Sequence, residues 1–272
     1  MRKSIILSCV VLVALIVFAF DNIYTSADVK KIPKDITSKN LEQNNYPKNL
    51  GKENTSPSNQ LSDSILLNHL LGRFDYKTDT CFTLVKIDYC TKTMYLQKEV
   101  YQKFIDMHNA AKKENITLLI VSGTRNFNEQ KDIWERKWDK YIKTKDSLST
   151  VRQIMLYSSM PTTSRHHWGT DIDINSLNNK YFSQGEGLKV YNWLNENANQ
   201  YGFHQVYTNK KITNRTGYEE EKWHWSYLPK AKKYLDFYNK NLTNTEIKDF
   251  LGSDQAQQVD MLKNYVNGVS TN

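Results

Sequence analysis

The chain lacks several features that would settle its class at once. No segment repeats along it, which excludes a solenoid or array. Cysteine is scarce: of three, Cys9 lies in the N-terminal apolar segment, leaving only Cys81 and Cys90. A scaffold held together by several disulfides is therefore excluded. Lys and Arg total 37 against 29 Asp and Glu, a formal net charge of +8, yet the lysines are scattered. Such a surface suits an anionic polymer or a lipid surface, but without a concentrated basic stripe it argues against nucleic acid. The longest apolar run, Ile5 to Phe20, falls short of the about 20 residues that a membrane-spanning helix needs.

That short run has the marks of export. Arg2 and Lys3 form a positive leader, the apolar stretch follows, and Ala27 after Thr25-Ser26 offers a cleavage point among small residues. Residues 1–27 are thus expected to be a signal peptide or, if uncleaved, a signal anchor that tethers the chain to the membrane. Cys9 has almost no apolar run before it, which discounts a lipoprotein box. Residues 21–60 are rich in Lys, Asn, Ser and Asp, with Pro33, Pro47 and Pro57 and little apolar content, so 28–60 reads as a disordered linker. Residues 61–272 read as the globular domain. A composition of 39% hydrophobic and 12% aromatic residues is enough to build its core.

Within that domain, Leu96, Val100, Phe104, Met107 and Ala111 recur at spacings of three and four, the pattern of an amphipathic helix. Ile116 to Val121 reads as a buried strand ending at Ser122-Gly123, which leaves Arg125 in the loop beyond. Trp134, Trp138 and Tyr141 mark a second helix, with Asn126 or Asn128 as its N-cap. Thr170 to Ile174 reads as a strand. Leu188, Tyr191, Leu194 and Ala198 give a third helix closed by Gly202. Phe203 to Tyr207 and Lys222 to Tyr227 read as further strands, and the chain turns helical again after Pro229. Strands and helices mix without regular alternation, so the expected class is α+β.

Two stretches concentrate the chemistry: Ser164 to Asp173, and Glu221-Lys222-Trp223-His224. They supply imidazoles, carboxylates and a glycine. Gly169 permits a tight turn between His166 and the following strand. Asp171 and Asp173 then share one strand face, because strand side chains alternate with period two. His166 and Asp173 can converge across that bend, with His224 arriving from a later strand. Three protein ligands, a fourth position for water and a nearby carboxylate make up the inventory of a catalytic zinc site.

The pattern Ser-x-His-x-x-Gly-x-x-x-Asp followed by Glu-x-Trp-His resembles the zinc D-alanyl-D-alanine carboxypeptidases of the VanY type. Ser122-Gly123-Thr124-Arg125, with Gln130 beyond, is similar to the same family's Ser-Gly-x-Arg…Gln element. The resemblance runs from about Phe74 to Tyr227. It implies a small mixed or antiparallel sheet flanked by helices, as in hedgehog and D,D-peptidase domains, and one zinc per chain held by His166, Asp173 and His224. It implies Glu221 as the general base, and its Glu-x-Trp-His register is what selects Glu221 from the acidic run Glu219-Glu220-Glu221. Arg125 becomes the candidate for oxyanion stabilisation, with a structural salt bridge, for instance to Asp171, as its plainer role. Gln130 and Ser164 become substrate-orienting residues, with capping or packing as the alternative.

The implied activity is hydrolysis of peptidoglycan stem peptides on the extracytoplasmic side, with removal of a terminal D-alanine as the specific reaction. L,D-carboxypeptidase, endopeptidase and non-catalytic zinc-containing wall-binding module remain alternatives of the same fold. One departure stands out. The family usually has a small apolar residue where this chain has Asp171, which could orient a ligand imidazole or pair with Arg125 or Arg165. Trp223 and Trp225 alternate with His224 and are expected in the core. Cys81 and Cys90, in an exported chain, are expected to form a disulfide closing a small hairpin, with two buried free thiols as the alternative.

Overall fold

The computed structural model describes residues 57–271. The expected export segment and most of the expected linker lie outside the described residues. The first helix, α1 (Pro57–Leu70), begins inside the stretch 28–60 and continues into the domain.

A two-stranded antiparallel ribbon follows, β1 (Phe82–Leu84) with β2 (Tyr95–Gln97). Helix α2 (Lys98–Lys113) comes next, burying Val100, Phe104, Met107 and Ala111 as the periodicity requires. Leu96 of that same pattern is also buried but belongs to β2. A four-stranded antiparallel sheet forms the centre, in the order β3 (Ile120–Ser122), β4 (Asp171–Ile174), β6 (His224–Tyr227), β5 (Phe203–Gln205). The helices α3 (Phe127–Tyr141), α4 (Ser147–Ile154), α5 (Gly185–Asn197), α6 (Lys210–Thr213) and α7 (Leu228–Asn241) surround it. This is the α+β architecture expected.

Local chemistry explains the boundaries. Asn126 caps α3 by accepting from the Glu129 backbone N–H, while the Glu129 side chain accepts from the Asn126 N–H, a reciprocal capping box. Gly202 takes φ +85 after a short 3-10 turn, Ala198–Tyr201, and so closes the α5 segment. The expected strand 116–121 is cut to Ile120–Ser122 because Leu119 N–H is taken by the Asn175 side chain rather than by a ladder. The apolar face of α5 also differs from expectation. Val190, Trp193 and Leu194 are buried, whereas Leu188 is 39% exposed.

The sheet separates two environments. Ile172, Ile174, Trp225 and Tyr227 pack with Phe104, Leu118 and Phe203 in one apolar cluster. A second cluster gathers Trp134, Trp138, Trp168, Tyr234 and Tyr238 from α3, the segment before β4, and α7. Each large side chain so buried contributes about 1.5–3 kcal/mol. The alternate positions of β4 and β6 carry Asp171, Asp173, His224 and Ser226, all buried and all polar.

The expected disulfide is not formed: Cys81 and Cys90 are free thiols. The Cys90 thiol points to the carbonyls of Lys86 (3.4 Å) and Val85 (3.8 Å), and its backbone bridges to Ile120. Cys81 is held elsewhere, its carbonyl accepting from Lys98 N–H (2.9 Å) at the end of the ribbon. Both cysteines should therefore react with a thiol reagent in unfolded, unreduced protein, with Cys90 the slower of the two in folded protein. Labelling that requires prior reduction would show a disulfide instead.

Candidate metal and active site

Sheet register builds the site. In the β4–β6 ladder Asp173 stands directly opposite His224, and Asp171 opposite Ser226. Cross-strand neighbours of this kind lie within a few ångströms of one another. His166 reaches the same point from the 3-10 turn Arg165–Trp168, which ends at Gly169 in the left-handed region, φ +70. A Cβ at Gly169 would lie 2.4 Å from the Phe82 ring, so only glycine fits this turn. His166, Asp173 and His224 consequently offer ligand atoms all within 4.8 Å of one another, and all three residues are buried.

The second nitrogen of each imidazole is held. His166 Nδ1 donates to the Gly123 carbonyl (2.9 Å), which leaves Nε2 facing Asp173 at 3.4 Å. His224 Nε2 donates to Asp171 Oδ2 (2.9 Å), which leaves Nδ1 at 3.0 Å from Asp173 Oδ1. Each histidine thus turns its other nitrogen toward one point beside Asp173, where on losing its proton that nitrogen would offer a lone pair. Second-nitrogen partners of this type fix the tautomer and orientation of metal-ligating histidines. Two imidazoles and a carboxylate in this arrangement fit a zinc ion with an open position. The two rings meet nearly edge to face, 5.0 Å between centroids.

Electrostatics agrees. Burial works against ionisation of Asp173, yet His166 and His224 hold its carboxyl well below the usual range. Burial likewise opposes charge on His224, and the hydrogen bonds to Asp171 and Asp173 overcome it, raising its pKa. The carboxylates thus favour positive charge where the ligand atoms converge.

Asp171 answers the question left open by the sequence. It takes both partners at once: Arg165 Nε donates to Oδ2 (2.8 Å) alongside His224, while Thr170 Oγ1 (2.6 Å) and Ser226 Oγ (3.0 Å) donate to Oδ1. Arg165 is buried too, with a second donation to Ser226 Oγ (2.6 Å) and its guanidinium 4.5 Å over the Trp168 ring. Arg125 does not pair with Asp171. Its Nη1 donates to Ser122 Oγ (2.7 Å), and its buried Nε has no protein acceptor. Its loop is tied to the 3-10 turn at both polar backbone atoms. Arg125 N–H donates to the His166 carbonyl (3.1 Å), and His167 Nδ1 donates to the Arg125 carbonyl (2.7 Å).

A cavity of about 210 Å³ adjoins the ligand atoms, lined by His166, Asp173, His224, Glu221, Arg125 and Gln130. Glu221 Oε2 lies 3.8 Å from His224 Nδ1. Burial pushes the Glu221 carboxyl up to about 8; His224 and Arg125 oppose the shift and Asp173 reinforces it. Its neighbours in the acidic run are placed differently. Glu219 is paired with Lys210 (2.5 Å), and the Glu220 carbonyl accepts from Asn179. Gln130 donates to the Ser159 carbonyl (2.8 Å), and its buried Oε1 has no protein donor. Ser164 is buried with an unpartnered hydroxyl, but it does not line the cavity.

Several wall residues lie outside the motifs: Lys137, Tyr157, Tyr207 and Tyr218. Trp223 packs in the apolar cluster as expected and also lines the cavity. It precedes β6 rather than belonging to it, so strand alternation does not govern its direction. Trp225, inside the strand opposite Ile172, faces the core as expected. For Lys137 a signal did exist: Gln130, Ile133 and Lys137 are spaced for one helix face.

Comparison with known proteins assigns the chain to a family. The sequence profile of the D-alanyl-D-alanine carboxypeptidase family, VanY, matches residues 93–230. The chain belongs to that family. It is 31% identical over 124 residues to a D-alanyl-D-alanine carboxypeptidase of Enterococcus faecalis, covering 45% of this chain and 44% of that protein. It is 29% identical over 168 residues to one of Enterococcus faecium, covering 61% of this chain and 48% of that protein. The chain spans about half the length of the curated relatives it matches. Among solved structures it is similar to the LdcB LD-carboxypeptidase, with 25% identity and a TM-score of 0.47 over 63% of this chain and 77% of that one. It is also similar to VanYB in complex with D-alanine-D-alanine, with 24% identity and a TM-score of 0.44 over 59% and 84% respectively.

The Arg165–Asp171 pair makes a strong stability prediction. Asp171→Ala strands a buried guanidinium, so unfolding free energy should fall by about 3–5 kcal/mol. Denaturant titration checks this, and a loss within about 0.5 kcal/mol, the scatter of surface substitutions, would show that Arg165 finds another partner.

Proposed function

We propose that this protein is an extracytoplasmic zinc peptidase that removes the terminal D-alanine from peptidoglycan stem peptides. The observation that carries the reading is Glu221: a buried carboxylate at the edge of the ligand cluster, in the same cavity as Arg125. His166 Nε2, Asp173 and His224 Nδ1 would hold the zinc. Bound there, zinc lowers the pKa of water and polarises the scissile carbonyl.

The chain's own groups do the rest. Glu221 accepts the proton of the attacking water at a carboxylate oxygen and passes it to the leaving amine as the C–N bond breaks. A base whose pKa is raised toward neutrality suits both halves of that transfer. Arg125 stabilises the oxyanion that develops on the carbonyl, held in place by its loop contacts to His166 and His167. Gln130, with a free acceptor on the cavity wall, orients the peptide. Ser164 supports the site from behind the wall, since it does not line the cavity. A non-catalytic wall-binding module has no need of a buried base and a cationic group beside the ligands.

In this reading the N-terminal segment delivers the chain outside the membrane or tethers it there. Among the described residues no helix is long and apolar enough to cross a membrane.

Two measurements test the proposal. Purified protein should carry about one zinc per chain, as expected of one set of three ligands, and His224→Ala should lose most of it. Unchanged zinc in that variant would sink the ligand assignment. Glu221→Gln should keep zinc and fold while turnover of a D-Ala-terminated stem peptide falls by about 10²–10⁴. Near-normal hydrolysis in that variant would move the base elsewhere. Mass spectrometry of a digested muropeptide mixture shows which bond is cut, and an L,D or internal cut would replace the D-alanine assignment.

A further inference from the structure

The cavity wall holds a cation that the steps above do not use. On α3, Gln130, Ile133 and Lys137 follow each other at helical spacing and all line the cavity, while Phe127, Trp134 and Trp138 of the same helix face the core. Lys137 is half-buried, and its amine donates to the hydroxyl of Ser158, itself a wall residue. No carboxylate among the described residues forms an ion pair with it, although α3 carries another lysine, Lys131, paired with Glu135 (3.8 Å). Burial lowers the Lys137 pKa, with Glu221 partly offsetting this and Arg125 adding to it. The amine therefore shares the cavity with the reacting groups, and a half-buried charge without a directly paired carboxylate is costly. An anionic ligand group in the cavity relieves that cost.

We propose that Lys137, steadied by Ser158, is the residue that recognises the C-terminal carboxylate of the substrate. This rests on the peptidase reading, since a carboxypeptidase substrate always presents that carboxylate near its scissile bond. It divides the labour between two cations. Arg125, on the loop beyond β3, serves the charge that develops during reaction. Lys137, on α3, serves the charge present from the start and so contributes to binding and to the choice of chain end over internal bonds. Lysine suits this role, because a compact ammonium meets a carboxylate as a point charge and needs no bidentate geometry.

The test compares one peptide ending in D-Ala-D-Ala as the free acid with the same peptide as its C-terminal amide, both cleaved by zinc-loaded protein. A hydrogen bond to a charged group is worth about 1.5–3 kcal/mol, so the unaltered protein should prefer the acid by roughly 10–100-fold in kcat/KM. In Lys137→Met the acid-to-amide ratio should collapse toward one, mainly through a higher KM for the acid. Lys137→Arg, which keeps the charge, should restore most of the preference. A variant that slows both peptides equally and leaves the ratio unchanged would show a purely structural lysine and overturn the assignment. Equal cleavage of acid and amide by the unaltered protein would overturn it as well. If the unaltered protein cuts neither peptide, the peptidase reading itself fails. The subsite is then judged by calorimetric binding of the two peptides to unaltered and Lys137→Met protein, and equal affinities for acid and amide would remove it.

Discussion

The Asp171 carboxylate is the point on which the site's architecture turns. It is fully buried and accepts four hydrogen bonds, two at each oxygen, from Arg165, His224, Thr170 and Ser226. A carboxylate has about four such acceptor positions, so its capacity is filled. Its charge is balanced by one guanidinium, and burial is outweighed by Arg165 and His224 in keeping the carboxyl ionised. One oxygen joins the 3-10 turn, through Arg165, to β6, through His224. The other ties β4 to β6 through Ser226. The turn that carries His166 and the strand that carries His224 are thereby fixed relative to each other by a single anion.

That arrangement also governs which nitrogen of His224 is available. Because Nε2 is committed to Asp171, Nδ1 is the atom left near Asp173, and the ring cannot turn without losing a buried charge-assisted bond. Tyr207 lies against the same ring, 4.6 Å between centroids, and blocks it from that side. Rigid support of this kind is what distinguishes a preorganised ligand set from three side chains that happen to be close.

Much of this was legible in the sequence, and the failures have physical reasons. The family resemblance is what singled out His166, Asp173 and His224; period-two alternation and a glycine turn, both local rules, made only the convergence of His166 and Asp173 legible from the residues themselves. Asn126 as a cap and Gly202 as a helix stop followed from equally local chemistry. The partner of Asp171 was not decidable, since Arg125 and Arg165 are equal candidates until the sheet register and the 3-10 turn are known. The face of α5 was misjudged because Leu188 and Tyr191 satisfy the period as well as Val190 and Trp193 do. Burial there is decided by the neighbouring elements. The cysteine pair failed for a related reason: spacing bounds what a pair can reach, but the side-chain direction of Cys90 is set by its contact with β3. Lys137 belongs to no motif, and its only mark in the sequence is its helical phase with Gln130 and Ile133.

The ladder that sets His224 against Asp173 joins residues 51 apart in the chain. His166 and Asp173 are near neighbours in sequence, but the third ligand is delivered only when β6 docks against β4. A partly folded chain therefore offers a divalent ion two ligands at most, and the full affinity appears together with the finished sheet. An ion bound at that cluster would act as a latch on the folded state. By mass action, each tenfold rise in free metal above its dissociation constant deepens the native well by about 1.4 kcal/mol. Resistance to unfolding in such a chain becomes a property of the surrounding medium as much as of the polypeptide.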